Sequence, residues 1–256
     1  MSEVSWSDEL RSAVEVARHA GLEILLPAMP LGKHGQVERY KGVRELVTEK
    51  DTEVERFVVE ELRSEFPDHA VYAEEEVQED LPPGGSRWII DPLDGTTNFV
   101  HGLPLYAISI ALERDGRPVL GVVFLPYLDE TFVAEEGKGC WFNGEAIRVE
   151  VSDTEELIKS VLATGFAYDR QTYPNLSRWE RLHESTRGLR RCGSAAIDLA
   201  YVAAGRFDGF WVAHINRNRH RREKNDVGDF GVLQLSAIRR GKKFSPQNVK
   251  AGSTAS

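Results

Sequence analysis

The sequence predicts a layered α+β fold in which helices pack on mixed and antiparallel sheets. Segments with apolar residues at helical spacing alternate with short apolar runs bounded by turn residues. Neither an internal repeat nor a low-complexity linker interrupts this alternation. Helices and strands that each bury one apolar face stack in layers around a core. With 256 residues, of which 41% are hydrophobic, the chain is long enough to bury such a core.

Two helices open the chain. Between Asp8 and about Pro27, apolar residues recur near helical spacing and predict an amphipathic helix. After a polar connector, a second helix begins at Thr48 or Asp51, both of which are favourable N-cap residues. Phe66-Pro67-Asp68 predicts the end of this helix, because proline cannot continue it.

Short apolar runs predict the strands that follow. Ala70–Ala73 is a short candidate strand, and Trp88–Ile90 reads as a buried one. Turn residues then separate three further runs, which predict an antiparallel meander: Tyr106–Leu112, Val119–Phe124 and Glu130–Ala134.

The last part of the predicted fold mixes strands with one helix. Asn143-Gly144 is a hairpin signal, and Val161–Gly165 is a candidate strand. Gly193-Ser194-Ala195-Ala196 opens a helix that runs to Gly205. A strand resumes at Asp208–Trp211.

The most informative stretch is Trp88–Phe99, in which an apolar run is followed by two aspartates and then by a glycine that predicts a turn. Pro92 restricts the backbone between the two acids, and Gly95 permits a turn that other residues resist. Asp91 and Asp94 therefore converge at the end of the strand. Magnesium prefers a few carboxylate oxygens and leaves the rest of its shell to water and phosphate. The alternative is an Asx-type turn whose acids only cap backbone groups.

A phosphate group fits beside these acids. Thr96, Thr97 and Asn98 are favourable helix-start residues, and a helix start offers N–H groups to an anion. A second acidic element follows the strand at Ala70–Ala73, where Glu74 stands at the strand end. Open α/β sheets gather ligands at such ends, which favours a metal role for Glu74 over a merely solvated acidic run.

Composition limits the partners of the chain. A net charge of −9 argues against a general nucleic-acid binder, since phosphate backbones require clustered lysine and arginine. Two cysteines far apart in sequence provide neither a disulfide framework nor a four-ligand zinc site. No secretory signal and no bilayer-spanning run is visible, so we expect no membrane association and a cytoplasmic location.

Taken together, these segments resemble the inositol monophosphatase family of magnesium-dependent, lithium-sensitive sugar phosphatases. The resemblance runs from about the first helix to Trp211 and is strongest in four segments: Trp88–Gly102, Leu46-Val47-Thr48 with Asp51, Glu74-Glu75, and Gly193-Ser194-Ala195-Ala196. It implies a layered α-β-α-β-α phosphatase fold, Mg²⁺ as cofactor and a homodimer.

The resemblance also implies roles for individual residues. The metal ligands are Glu74, Asp91, the Leu93 carbonyl and Asp94. Asp51 and Thr96 orient the attacking water, as general-base alignment requires. Gly95 and Thr96 give N–H groups to the phosphate, while Ser194 and Ala195 border the alcohol part of the substrate. Each of these polar residues has a structural alternative, because Asp51 and Ser194 are also good helix caps and Thr96 also suits a turn.

The chain departs from the family pattern after Trp211. Counted without gaps, Val212 stands where a hydroxyl-binding glutamate is expected, and Arg219 stands where a metal-binding aspartate is expected. An arginine would repel a magnesium ion. A reading-frame change in the gene explains both the lost motif and the basic composition that follows. Alternatively, an insertion displaces the motif so that Asp226 supplies the ligand.

The predicted organisation is a catalytic region at 1–211, with the metal site on 46–102 and a second lobe from about 150. Residues 212–256 form a divergent basic tail that we expect to be partly disordered. The tail has no interleaved aromatic platform, so a nucleic-acid arm is the weaker interpretation.

The predicted function is magnesium-dependent hydrolysis of inositol monophosphate or a similar small sugar or polyol phosphate, impaired by the altered C-terminus. Two alternatives stay open. The chain is a fructose-1,6-bisphosphatase or histidinol-phosphate phosphatase of the same family, or it is a catalytically inactive dimeric regulatory or binding protein.

Overall fold

The computed structural model describes residues 5–30, 39–40, 46–143, 147–166 and 175–212, with backbone alone at 39–40 and 46–47. The helices are α1 (Asp8–His19), α2 (Leu26–Ala28), α3 (Glu49–Glu65), α4 (Thr96–Val100), α5 (Leu176–Ser185) and α6 (Ala195–Ala203), with a π-helical segment at Ala20–Leu25 and a 3₁₀ turn at Leu157–Lys159. The strands are β1 (Arg39–Tyr40), β2 (Leu46–Val47), β3 (Ala70–Ala73), β4 (Ser86–Asp94), β5 (Ala107–Arg114), β6 (Arg117–Leu125), β7 (Glu130–Glu135), β8 (Gly139–Phe142), β9 (Ile147–Arg148), β10 (Val161–Thr164), β11 (Gly188–Arg190) and β12 (Gly209–Trp211).

A seven-stranded mixed sheet forms the centre of the described fold, in the order β3-β4-β5-β6-β7-β8-β9. Strands β3 and β4 run parallel, and every later pair is antiparallel. The predicted meander is therefore confirmed as β5, β6 and β7. A second sheet has the order β11-β10-β12, with parallel strands.

Side chains of the central strands alternate between two cores, as the period of a strand requires. On β6, Val122 and Phe124 pack in the core shared with α1 and α3. Val123 and Leu125, on the opposite face, pack in the core shared with α6. Both faces of the sheet are thus buried beneath helices.

Helix α6 lies between the two sheets, because it contacts β5 and β6 on one side and β10 and β12 on the other. Helix α5 contacts β11 of the smaller sheet. The layers are therefore α1 with α3, the large sheet, α6, the small sheet and α5. This arrangement confirms the predicted layered α+β fold.

The first predicted helix is present, but its middle differs from the prediction. Ser7 caps α1 by accepting the Leu10 N–H at 3.2 Å, and the chain then widens into a π-helical segment before α2. A Cβ on Gly21 would lie only 2.6 Å from the Phe124 ring. The absence of a side chain at Gly21 lets this segment press against β6, a tertiary contact that helical periodicity does not reveal.

Other predictions are settled by the remaining elements. Strands β8 and β9 pair antiparallel on either side of Asn143, whose φ of 49° is positive, so the predicted hairpin is confirmed, although Gly144 lies outside the described residues. Cys140 and Cys192 are both unbridged and half-buried. Within the described ranges, no helix is both long and apolar enough to cross a bilayer.

Candidate active site

Asp91 and Asp94 lie near the carboxyl end of β4, on either side of a β-bulge. Asp91 lies opposite Ser109 of β5, whereas Asp94 lies opposite Ala107, so β4 contains one extra residue between them. Pro92 has no N–H to donate to the ladder, which explains why the irregularity falls here. The Asp91 carboxylate turns back to accept the Leu93 N–H at 3.1 Å.

The turn after β4 depends on Gly95. Its φ of +99° lies in the left-handed region, and a Cβ at this position would lie 2.9 Å from the Leu105 carbonyl oxygen. Helix α4 begins at the next residue, Thr96, and the Phe99 N–H donates to the Gly95 carbonyl at 3.0 Å. The predicted glycine turn and helix start are therefore confirmed.

Asp51 reaches this turn from the first turn of α3. Its Oδ1 accepts the Thr96 hydroxyl at 3.0 Å, and its Oδ2 accepts the Thr48 N–H at 2.8 Å and the Thr48 hydroxyl at 2.6 Å. The Thr96 oxygen is also 3.1 Å from the Leu93 carbonyl oxygen. Since a hydroxyl carries one proton, Thr96 shares it between Asp51 and Leu93.

Glu74 joins the site through the parallel pairing of β3 with β4. Ala73 lies opposite Ile90, so the next residues along the two strands, Glu74 and Asp91, emerge side by side at one sheet edge. Their carboxyl groups lie close enough for the charge of Glu74 to raise the pKa of Asp91. The strand-end position predicted for Glu74 is thus the one the fold gives it.

The start of α6 holds Asp94. Its Oδ2 accepts the Ser194 hydroxyl and the Ala196 N–H, each at 2.6 Å. Ser194 also caps α6, because its oxygen accepts the Ile197 N–H at 3.2 Å. Ser194 is buried, whereas Ala195, the first residue of α6, is half-buried.

Negative charge is concentrated in this region. Burial raises the pKa of Asp91 well above its ordinary value, and the charges of Glu74 and Asp94 raise it further. Burial also raises the pKa of Asp94 to about 6, although the Ser194 hydroxyl and the Ala196 N–H oppose this shift. The pKa of Asp51 is raised by burial in the same way, against its hydrogen bonds to Thr48 and Thr96.

The candidate ligand atoms of Glu74, Asp91, Leu93 and Asp94 are all oxygens and are mostly anionic, so their chemistry suits a hard divalent cation. Among the described residues, the ion pairs include none to Asp51, Asp91 or Asp94. However, no set of three or more His, Cys, Asp or Glu side chains in the described part of the chain is already arranged around one point.

The structure brings the predicted site residues together where β3 and β4 end and α3, α4 and α6 begin. Hydrogen bonds join Asp51, Thr96 and Leu93, and others join Asp94 to the start of α6. The structural alternatives are present at the same time: Thr48 and Asp51 form a capping box on α3, and Ser194 caps α6. These side chains are thus held rigidly by the same bonds that cap their helices.

Sequence reasoning missed two polar residues that support the site. Asn98 donates its Nδ2 to the Leu105 carbonyl at 2.6 Å and to the Cys192 carbonyl at 2.8 Å, which ties α4 to the segment before α6. Glu55 is buried on α3 and accepts backbone N–H groups from the loop after β3. The available signal for Glu55 was its spacing of four residues from Asp51, which places both on one helix face.

Asp198 of α6 is a further buried acid, and nothing in the sequence singled it out. It is 1% exposed, its Oδ1 has no hydrogen-bond partner, and burial raises its pKa to about 7, although a hydrogen bond from the Cys192 thiol opposes this shift. A carboxyl group whose pKa is higher in the folded than in the unfolded protein does not lower the free energy of unfolding below pH 4, where it is largely protonated in both states. The cost in stability grows as the pH rises from 4 to 7, and it reaches about 4 kcal/mol at about 1.4 kcal/mol per pKa unit.

We therefore expect Asp198→Asn to gain stability relative to the unmodified chain at pH 8 but not at pH 4. The free energy of unfolding should be measured by denaturant titration at both pH values in the presence of a chelator. Asp153→Asn, at an exposed position, is the matched control and should change neither value. An equal change at pH 4 and pH 8 in Asp198→Asn would contradict the expectation.

The layered α+β fold, with its carboxylate cluster at the end of β4, is the architecture of solved inositol monophosphatase structures. The chain belongs to the inositol monophosphatase family, whose sequence profile matches residues 6–222. The family relatives named inositol-1-monophosphatase are phosphoric monoester hydrolases.

Individual relatives support the assignment. The chain is 43% identical to the fructose-1,6-bisphosphatase/inositol-1-monophosphatase of Thermotoga maritima over 209 residues, which cover 82% of this chain and 77% of the relative. It is 42% identical to the inositol-1-monophosphatase of Synechocystis sp., covering 81% of this chain and 71% of the relative. The solved structure of the extragenic suppressor protein suhB from Bartonella henselae superposes with a TM-score of 0.75 at 34% identity, covering 91% of this chain and 85% of that one.

Proposed function

We propose that this chain is a Mg²⁺-dependent phosphomonoesterase that hydrolyses inositol monophosphate or a similar small sugar or polyol phosphate. The observation that carries the proposal is the meeting of two strand ends, where Glu74 and Asp91 lie together beside the Asp51–Thr96 pair. Membership of a phosphatase family supports the same conclusion.

In this proposal Glu74, Asp91, the Leu93 carbonyl and Asp94 hold the magnesium. The ion, when bound, supplies charge stabilisation and makes water more acidic. The chain's own contribution is rigidity: Asp94 is held by Ser194 and Ala196, and Asp91 by the Leu93 N–H. Such bonds orient ligand oxygens before a cation arrives.

Asp51 and Thr96 align the attacking water. Asp51 is 3% exposed, and its hydrogen bond to Thr96 fixes the hydroxyl at the edge of the phosphate-binding turn. A raised pKa moves this carboxylate toward the range in which it accepts a proton effectively. The Thr96 oxygen accepts the proton that the water releases, while the Thr96 hydroxyl passes its own proton to Asp51 Oδ1.

In-line displacement requires the phosphate to lie between this water and the leaving oxygen of the polyol. Backbone N–H groups of Gly95 and Thr96 bind the phosphate, because the left-handed Gly95 leads directly into the start of α4, where N–H groups have no partner within the helix. Ala195 borders the polyol at the half-buried start of α6. Ser194 acts on the same side mainly through Asp94, since its hydroxyl is already bound there.

The altered C-terminus reduces the rate in this proposal. Val212 is half-buried and lies beside Gly165, at the position where a hydroxyl-binding glutamate is expected. Arg219 and Asp226 lie outside the described residues. If two-metal charge stabilisation supplies several kcal/mol of the barrier, a missing ligand costs orders of magnitude in rate.

The test is phosphate release by the purified full chain from inositol 1-phosphate, fructose 1,6-bisphosphate and histidinol phosphate, each with Mg²⁺ and with a chelator. We expect inositol 1-phosphate to be hydrolysed in a Mg²⁺-dependent manner. Preference for fructose 1,6-bisphosphate would support the bisphosphatase alternative, to which the name of the Thermotoga maritima relative points. Absence of release from all three by folded protein would overturn the proposal and favour the regulatory-binder alternative.

We further propose that the enzyme works as a cytoplasmic homodimer without membrane or nucleic-acid partners. The acidic net charge of −9 supports the exclusion of nucleic acid. Light scattering of the purified chain tests the dimer, and a monomeric mass would overturn it.

A further inference from the structure

The loop that follows β3 is held by one buried side chain, that of Glu55 on α3. Its Oε2 accepts the Glu75 N–H at 2.6 Å, and its Oε1 accepts the N–H groups of Glu76 at 2.6 Å and Val77 at 3.0 Å. Glu55 is 1% exposed. Three successive backbone donors thus converge on a single carboxylate.

The three backbone N–H groups form a concavity that binds an anion, and the bound anion here is the Glu55 carboxylate. A buried carboxylate is costly unless charge-assisted hydrogen bonds satisfy it. Among the described residues, none of the ion pairs involves Glu55. The backbone of the loop therefore supplies the compensation, and the shape of the loop depends on the carboxylate.

The loop is short and closed at both ends. The Ala73 N–H donates to the Val77 carbonyl at 2.6 Å, and the Glu79 N–H donates to the Val71 carbonyl at 2.8 Å. Glu74 is the residue between the end of β3 and the three N–H groups that Glu55 holds. Hydrogen bonds therefore hold the backbone on both sides of Glu74, at Ala73 and at residues 75–77, and so fix the direction of the Glu74 side chain.

One face of α3 serves both halves of the site. Asp51 and Glu55 are four residues apart, which places them one above the other on the helix. Asp51 binds the Thr96 hydroxyl at the end of β4, and Glu55 binds the loop at the end of β3. The helix thus fixes the spacing between two loops that belong to neighbouring strands.

We propose that Glu55 is a positioning residue that holds Glu74 in place for the divalent cation. This inference rests on the cation site assigned under the proposed function. Glu55 touches neither substrate nor cation. It acts through the backbone of residues 75–77, and its loss loosens Glu74 without removing a ligand.

Two simpler roles for Glu55 make different predictions. If Glu55 only stabilises the fold, its replacement lowers the free energy of unfolding but leaves the cation affinity of the folded protein unchanged. If Glu55 attracts cations only through its charge, Glu55→Asp retains the full affinity. Positioning requires both the charge and the length of the side chain.

The experiment is calorimetric titration of the full chain with Mn²⁺, together with thermal unfolding of each variant. We expect Glu55→Gln and Glu55→Asp to weaken Mn²⁺ binding by about tenfold or more, the size of effect typical of residues that orient ligands. Glu61→Gln, at an exposed position of the same helix, controls for the loss of one negative charge. Val58→Ala, in the core beneath α3, controls for lost stability. Both controls should keep the affinity of the unmodified chain.

The outcomes are distinct. If the unmodified chain does not bind Mn²⁺, the proposed cation site fails. If the unmodified chain binds and Glu55→Asp binds equally well, the positioning role alone is overturned. The same holds if Val58→Ala loses as much affinity as Glu55→Gln. Should Glu55→Gln fail to fold, Glu55→Asp with its retained charge still decides the question.

Discussion

Replacement of Asp91 by asparagine should lower Mg²⁺-dependent phosphate release by about a thousandfold or more. An amide supplies one neutral oxygen where a carboxylate supplies charge, and several kcal/mol of lost stabilisation correspond to orders of magnitude in rate. Asp91 is 6% exposed and lies between Glu74 and Asp94, so solvent cannot replace its charge. Initial rates of phosphate release across a Mg²⁺ titration would measure the loss.

The same substitution should raise the thermal stability of the metal-free protein. Burial and the charges of Glu74 and Asp94 raise the pKa of Asp91, which means that its ionised form is disfavoured in the folded state at neutral pH. Asparagine removes that penalty. We therefore expect Asp91→Asn to lose turnover while its unfolding midpoint, measured in chelator, rises. Active-site residues are often selected for activity at a cost in stability.

Asp115→Asn is the matched control for this experiment. Asp115 is exposed in the turn between β5 and β6, where its φ of 53° suits asparagine as well as aspartate. Neither turnover nor stability should change in this variant. If Asp91→Asn retains cation-dependent turnover, Asp91 is not a ligand and the site lies elsewhere.

Local patterns explain why much of the site was predictable from sequence. The apolar run before Asp91, the proline between the acids and the glycine at position 95 each constrain their own few residues. At these positions, local sequence rules are enough to predict the strand end and the turn that the structure shows. The link between Asp51 and Thr96 spans 45 residues, and the family resemblance supplied it rather than any local rule.

Supporting contacts were missed for a physical reason. Asn98 binds the Cys192 carbonyl across 94 positions, and no periodicity joins a side-chain amide to a distant carbonyl. Glu55 looks in sequence like one of several acids on α3, and only the contact of that helix with the loop after β3 reveals that it is buried. Pro92 explains why the ladder is interrupted between Asp91 and Asp94, but the register in which β4 resumes pairing depends on a distant strand, β5.

Asp51→Asn should lower turnover by about a hundredfold to ten-thousandfold, the range typical of a lost general base. Asparagine keeps the size of the side chain and can still accept from Thr48. Its amide nitrogen, however, would donate to Thr96 where the carboxylate now accepts at 3.0 Å. The Thr96 proton would then go to the Leu93 carbonyl, and the water would lose both its acceptor and its alignment.

Cation affinity separates this effect from that of Asp91. Asp51 is not among the assigned ligands, so Mn²⁺ binding measured by calorimetry should fall far less in Asp51→Asn than turnover does. Asp91→Asn should lose both together. Glu53→Gln, an exposed acid on the same helix that pairs with Lys50, should change neither quantity. Equal losses of affinity and turnover in Asp51→Asn would show that Asp51 acts by holding the cation. The water-aligning role assigned to the Asp51–Thr96 pair would then be wrong, because the two carboxylates would be performing one task.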